Sequence, residues 1–246
     1  MRLRIPMRRR LVPRRLGLGA VAALALTLAA LVFAYPATAS IACPRCFGFQ
    51  PMGDGLYVDR DMPVETRSSA EAIVEQARQN VAEFYGGLKA HPLVFACSTA
   101  ECYRRLHGGG SRGMAILSQA LVLSPRGLNV TIATHELSHI ELHRRIGTLR
   151  AYRGAVPAWF DEGLAVIVSD DTRYLKPDGD GDRCLQSSDL PLPETQRAWL
   201  RPGDDSLYAV AACRVSRWMA THGGGDGVLR LLAHIAAGEN FATAAR

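Results

Sequence analysis

The sequence predicts a single α+β domain, mostly helical, and three observations lead to that reading. Apolar residues recur with a helical period over several capped stretches, short apolar runs bounded by Pro, Gly and Ser have the length of strands, and no internal repeat or low-complexity tract follows residue 40. With 246 residues and 48% apolar content the chain can bury a full core, and its composition excludes a disordered, collagenous or coiled-coil protein.

The formal charge of +6 invites a nucleic-acid reading until it is located. Residues 1–39 hold seven arginines and no acid, so residues 40–246 carry 22 basic against 23 acidic side chains, a net of −1. A near-neutral body gives no footprint for nucleic acid. Behind the arginines, Leu16 to Tyr35 is uncharged and is followed by Pro36-Ala37-Thr38-Ala39-Ser40. That order describes a secretory signal peptide cut after Ala39, or an N-terminal anchor in which residues 16–35 associate with the membrane. Both place the body outside the cytoplasm, in the periplasm or beyond, secreted or held at the inner membrane. The body carries six cysteines, an even number that suits disulfides in an oxidising compartment. Cys97–Cys102 is expected across a strand-to-helix turn, Cys184–Cys213 between a polar loop and a closing helix, and Cys43–Cys46 as the third pair. A redox role for Cys43-Pro44-Arg45-Cys46 would need a strand before the motif and a helix after it, and neither is expected there.

Residues 40–67 are rich in Pro and Gly and read as an irregular segment, with the globular domain over 68–246. Ser68 or Ser69 caps a helix to about Tyr85, closed by Gly86-Gly87. Pro92 to Ala96 reads as a strand, Thr99 to Leu106 as a short helix, and Met114 to Leu123 as a strand or hairpin. Asn129 caps a helix from Val130 to about Arg145 that Gly147 ends, and Pro157 opens another that reaches about Val168. Residues 170–192 read as a loop, and Leu207 to Ala220 and Val228 to Ala237 as closing helices. Asp178-Gly179-Asp180-Gly181-Asp182 has the look of a calcium loop, but Arg183 stands where such loops need Gly, which favours a solvated loop.

The chemistry is concentrated in His135-Glu136-Leu137-Ser138-His139, an HExxH motif inside a predicted helix. Histidines four apart share one helix face and can grip one tetrahedral metal, while Glu136 is placed to take a proton from a water rather than to bind the ion. A catalytic zinc needs a third protein ligand and one open position. The metzincin spacing fails, because positions 142 and 145 are Leu142 and Arg145. His143 lies about 12 Å along the axis from His135, too far to share the ion, and reads as a surface or helix-end histidine. Glu162 is the better ligand, 23 positions after His139, with room for a turn and a returning helix in which Gly163 permits close approach.

With these residues the chain resembles the gluzincin superfamily of zinc metallopeptidases, in its exported bacterial, peptidase-MA-like form. The resemblance rests on HExxH at 135–139 followed by Trp159-Phe160-Asp161-Glu162-Gly163, and more softly on Leu207-Tyr208-Ala209-Val210 and the Leu-rich stretch 229–238. It implies a zincin-like domain over 68–246 with a small β element beside the zinc helix. It also implies one catalytic Zn²⁺ on His135, His139 and Glu162, with Glu136 as general base for a zinc-activated water, and a peptide or protein as substrate. Tyr208 is then either a donor to the oxyanion or a tyrosine packed at the rim. The aminopeptidase G-x-M-E-N pattern has no counterpart, since Gly113-Met114-Ala115-Ile116 lacks the acid, so an endopeptidase is favoured. The alternative is an exported zinc-binding or envelope-structural protein with the same fold and no turnover.

Overall fold

A computed structural model describes residues 14–177, 182–189, 191–200 and 206–246, with side chains from residue 19 onward. The architecture is α+β, built on one five-stranded sheet. Its strands are β1 (Phe49–Gly53), β2 (Leu56–Asp59), β3 (Leu93–Ala96), β4 (Gly113–Ile116) and β5 (Ala120–Leu123), in the spatial order β1-β2-β3-β5-β4. The two outer pairs are antiparallel, and β2, β3 and β5 run parallel.

Alternation along the inner strands gives the sheet two covered faces. Val94 and Ala96 of β3 join Leu121 and Leu123 of β5 in the main core, beside Leu56 and Val58 of β2. On the opposite face Phe95, Ala120 and Val122 form a second cluster with Phe49, Tyr103, Leu106 and the Cys97–Cys102 bridge. Over the main face lie α3 (Val64–Tyr85), which presents Ala70, Val74, Ala77 and Val81, and α5 (Val130–Ile146), which presents Ala133, Leu137 and Ile140. The short α4 (Ala100–Arg105) covers the other face and is capped by Thr99, whose hydroxyl accepts the Cys102 N–H at 3.1 Å. Past α5 come α6 (Thr148–Tyr152), α7 (Ala158–Val168), α8 (Gln196–Trp199), α9 (Ser206–His222), α10 (Gly224–Ala237) and α11 (Phe241–Ala244).

Two expectations need correction here. The stretch 40–67 is not irregular, because β1 and β2 form an edge hairpin whose turn uses three successive positive-φ residues, Gly53, Asp54 and Gly55. The Pro and Gly that suggested a loop serve an edge strand and its turn. Helix α3 starts at Val64, earlier than Ser68, because Pro63 fixes its entry and the Arg67 guanidinium donates to the carbonyls of Arg60 and Met62. Its first turn is too polar to show an apolar stripe.

At the N-terminus α1 (Arg14–Ala34) exposes Leu24, Leu26 and Phe33, whereas α2 (Pro36–Ala42) buries Pro36, Ala37 and Ser40, with Ala37 on the second cluster. The expected cut after Ala39 therefore falls within α2. Among the described residues no single helix is long and apolar enough to cross a membrane; residues 19–34 and α2 reach that length together, with a bend of 112° between them. The cysteines pair as Cys43–Cys46, Cys97–Cys102 and Cys184–Cys213.

Gly163 does permit a close helix approach, but toward α9 rather than α5. A Cβ at this position would lie 2.6 Å from the Ala211 carbonyl oxygen and 2.9 Å from the Val215 side chain. Because a carbonyl cannot swing aside, Gly163→Ala should force α7 and α9 apart and destabilise the protein by about 1–3 kcal/mol despite the better helix propensity of Ala. Thermal unfolding should show a midpoint lower by roughly 2–4 °C per kcal/mol; an unchanged midpoint would mean that the interface can relax freely.

Candidate metal centre

Helix α5 begins where the Asn129 side chain accepts the Ile132 N–H at 3.0 Å. That cap sets the helical phase and sends Leu137 and Ile140 to the core while His135 and His139 emerge together on the side facing α7. The two imidazole Nε2 atoms lie 3.1 Å apart. From α7 the Glu162 carboxylate completes a triangle, its Oε2 at 3.4 Å from His135 Nε2 and 3.5 Å from His139 Nε2. All three side chains are nearly excluded from water, at 12%, 8% and 6% exposure.

Those distances can be compared with what an ion requires. Donors bound to zinc at about 2.0–2.1 Å in a tetrahedron stand about 3.3–3.4 Å apart, so the triangle has the right edge, and two imidazoles with one carboxylate leave the fourth vertex open. The carboxylates also favour positive charge among these groups. Burial opposes protonation of His139, but Asp161 and Glu162 outweigh it and raise its pKa well above the ordinary imidazole value. Burial would raise Glu162, and the two histidines outweigh it, holding the carboxyl below the usual range. Among the described residues a second cluster, Asp182 with Cys184 and Cys213, has its sulfurs in a disulfide and offers no thiolate.

Neighbouring groups hold the ligands. The Asp161 Oδ1 accepts from His139 Nδ1 at 2.7 Å, so that a neutral His139 would turn the lone pair of Nε2 toward the triangle. The Glu162 Oε1 accepts the Gln196 amide at 3.0 Å. Gln196 reaches it because residues 193–196 wrap the start of α7, where the Pro193 and Glu194 carbonyls accept the N–H groups of Trp159 and Ala158. Gln196 carries no sequence signal, since it acts only through a contact 34 residues distant.

Glu136 lies beside the triangle, below the edge strand β4. The Ala115 N–H donates to its carboxylate, and a Cβ on Gly113 would come within 2.6–2.8 Å of its Cγ, Cδ and Oε1. Burial and the neighbouring Glu162 raise its pKa, against the opposing effect of His135 and His139. Gly113 is the position that makes room for it, a role invisible until strand and helix are placed together.

Tyr208 of α9 faces the same space, its ring 6.3 Å from that of His135, stacked on Tyr174 and edge-on to Trp199. Burial, with Glu162 adding to it, raises its pKa, so the phenol stays protonated at neutral pH; the Trp199 N–H donates to it. The structure thus brings together His135, Glu136, His139, Glu162 and Tyr208. His143 stands at the helix end, one of the two positions expected for it, but is not at the surface. It remains on the last turn of α5, but its Nε2 lies 2.9 Å from Asp161 Oδ2 and its side chain is only 24% exposed. Most of the calcium-like run, 178–181, lies outside the described residues, and Asp182 accepts from Arg217.

Comparison of the sequence with family models, with curated proteins and with solved structures gave no match. The metal reading therefore rests on the triangle itself. Metal-stripped protein should take up one zinc per chain, and Glu162→Ala should bind it at least about 100-fold more weakly, because one of three protein donors is gone. Metal analysis after dialysis checks this, and zinc retained equally by the variant would remove Glu162 from the ligand set.

Proposed function

We propose that this chain is an exported zinc-dependent endopeptidase of the gluzincin type with a zincin-like domain. The observation that carries the reading is the convergence of His135, His139 and Glu162 into a zinc-sized triangle with the Glu136 carboxylate beside it. Support comes also from the placement of α5 below the outer strand β4 and from three disulfides, which suit an oxidising compartment. The exposed apolar face of α1 suits a leader or anchor at the membrane.

A zinc ion on these ligands supplies Lewis acidity to a water and to the scissile carbonyl. Glu136 would accept the proton of that water and return it to the departing amine. Tyr208 spends an acceptor position on Trp199 and keeps its own O–H for the carbonyl oxygen as charge develops there. Among the described residues no strand pairs with the outer side of β4, and an extended peptide can add to the sheet there beside the Ala115 N–H that Glu136 holds.

Glu136→Gln separates enzyme from binder. An amide cannot take the proton, so cleavage of a peptide library should fall by at least about 100-fold with zinc content unchanged. Gly113→Ala should act on the same step by displacing the carboxylate, lowering kcat by roughly 10- to 100-fold with zinc again retained. Full cleavage by zinc-loaded Glu136→Gln would contradict the general-base assignment. Zinc binding by the natural protein with no turnover on any peptide would favour a non-catalytic zinc protein.

A further inference from the structure

Helix α5 carries histidines at 135, 139 and 143, and the last is too far along the axis to join the other two on one ion. Its ring nevertheless stacks beside His139, with centroids 6.3 Å apart and planes 28° apart. Between them stands Asp161, next in sequence to Glu162. Consecutive helical residues point about 100° apart, so Glu162 reaches the triangle while Asp161 stands behind His139.

We propose that His143 is a positioning residue for the metal centre, acting through Asp161; the inference rests on the metal-site reading above. Each Asp161 oxygen is committed to one imidazole, Oδ1 to His139 Nδ1 at 2.7 Å and Oδ2 to His143 Nε2 at 2.9 Å. Among the described residues its carboxylate has no other hydrogen bond. A carboxylate held at one oxygen can turn about its χ2 bond; held at both, it presents Oδ1 in the plane that the His139 N–H requires. His143 Nδ1 is buried and has no partner, so nothing else fixes that imidazole by a polar contact. Its one hydrogen bond is spent on the residue that orients a ligand. A side chain needed only for packing would carry no nitrogen there, since the buried Nδ1 is left unsatisfied.

Packing and hydrogen bonding can be separated by three substitutions in the full chain. His143→Ala removes both, His143→Phe keeps the ring and removes the donor, and His143→Gln places an amide N–H close to the position of Nε2. The readout is zinc affinity, measured by competition with a chromophoric chelator, alongside the melting temperature of each metal-free protein. The clamp predicts a loss of about 10- to 100-fold for Ala and Phe, the range seen when groups that orient metal ligands are removed, and recovery to within about threefold for Gln. Should Ala fail to fold, the Phe and Gln pair still decides. Equal affinity in Phe and the natural protein would overturn the clamp and leave the metal centre standing. Absence of zinc binding by the natural protein would overturn the metal centre, and the clamp with it.

Discussion

Three electron-pair donors from two helices face one another across 3.1 to 3.5 Å in a space with little access to water. The buried Glu162 carboxylate loses hydration worth several kcal/mol, so the arrangement is favourable only with positive charge among these groups, on a protonated imidazole or on a bound cation. The rest of the molecule can be read as the means of bringing those donors together and holding them. A bound cation would satisfy the charge, and Asp161 and Gln196 hold the sides of His139 and Glu162 that face away from the triangle.

Precision of that kind needs rigid support. Helix α5 is fixed from below by the sheet and α3, with Leu137 and Ile140 in the main core. At its far end Glu141 accepts the Lys89 and Ala90 N–H groups and pairs with Arg145, which ties the helix to the end of α3. Helix α7 is fixed by its close approach to α9 at Gly163. Through α9 it is linked to the polar loop by the Cys184–Cys213 bridge. The same helix α9 carries Tyr208, so one packing surface sets both the Glu162 carboxylate and the phenol opposite it.

Much of this was legible locally. The Asn129 cap, the HExxH spacing and the Gly147 stop lie within 19 consecutive residues, and they place both histidines and Glu136 on the helix that carries them. Glu162 was legible because a returning helix needs a turn of about the length available. What escaped depends on partners distant in sequence. The hairpin at Phe49–Asp59 was hidden because a short edge strand containing Pro51 looks like a loop until β2 is paired with β3. Gly163 could be read as a contact residue, but whether it meets α5 or α9 is decided by tertiary packing. Gln196 and Gly113 act only across such contacts. His143 was placed on the correct helix face by its period, and its meaning changed once Asp161 arrived from α7.

The central claim is that two imidazoles and one carboxylate hold a zinc ion with a fourth position free. X-ray absorption at the zinc edge of the zinc-loaded protein tests it directly. The account predicts a first shell of four light atoms at about 2.0–2.1 Å, with outer-shell scattering from two imidazole rings and no sulfur near 2.3 Å. Scattering from three imidazoles or from a cysteine sulfur would contradict it.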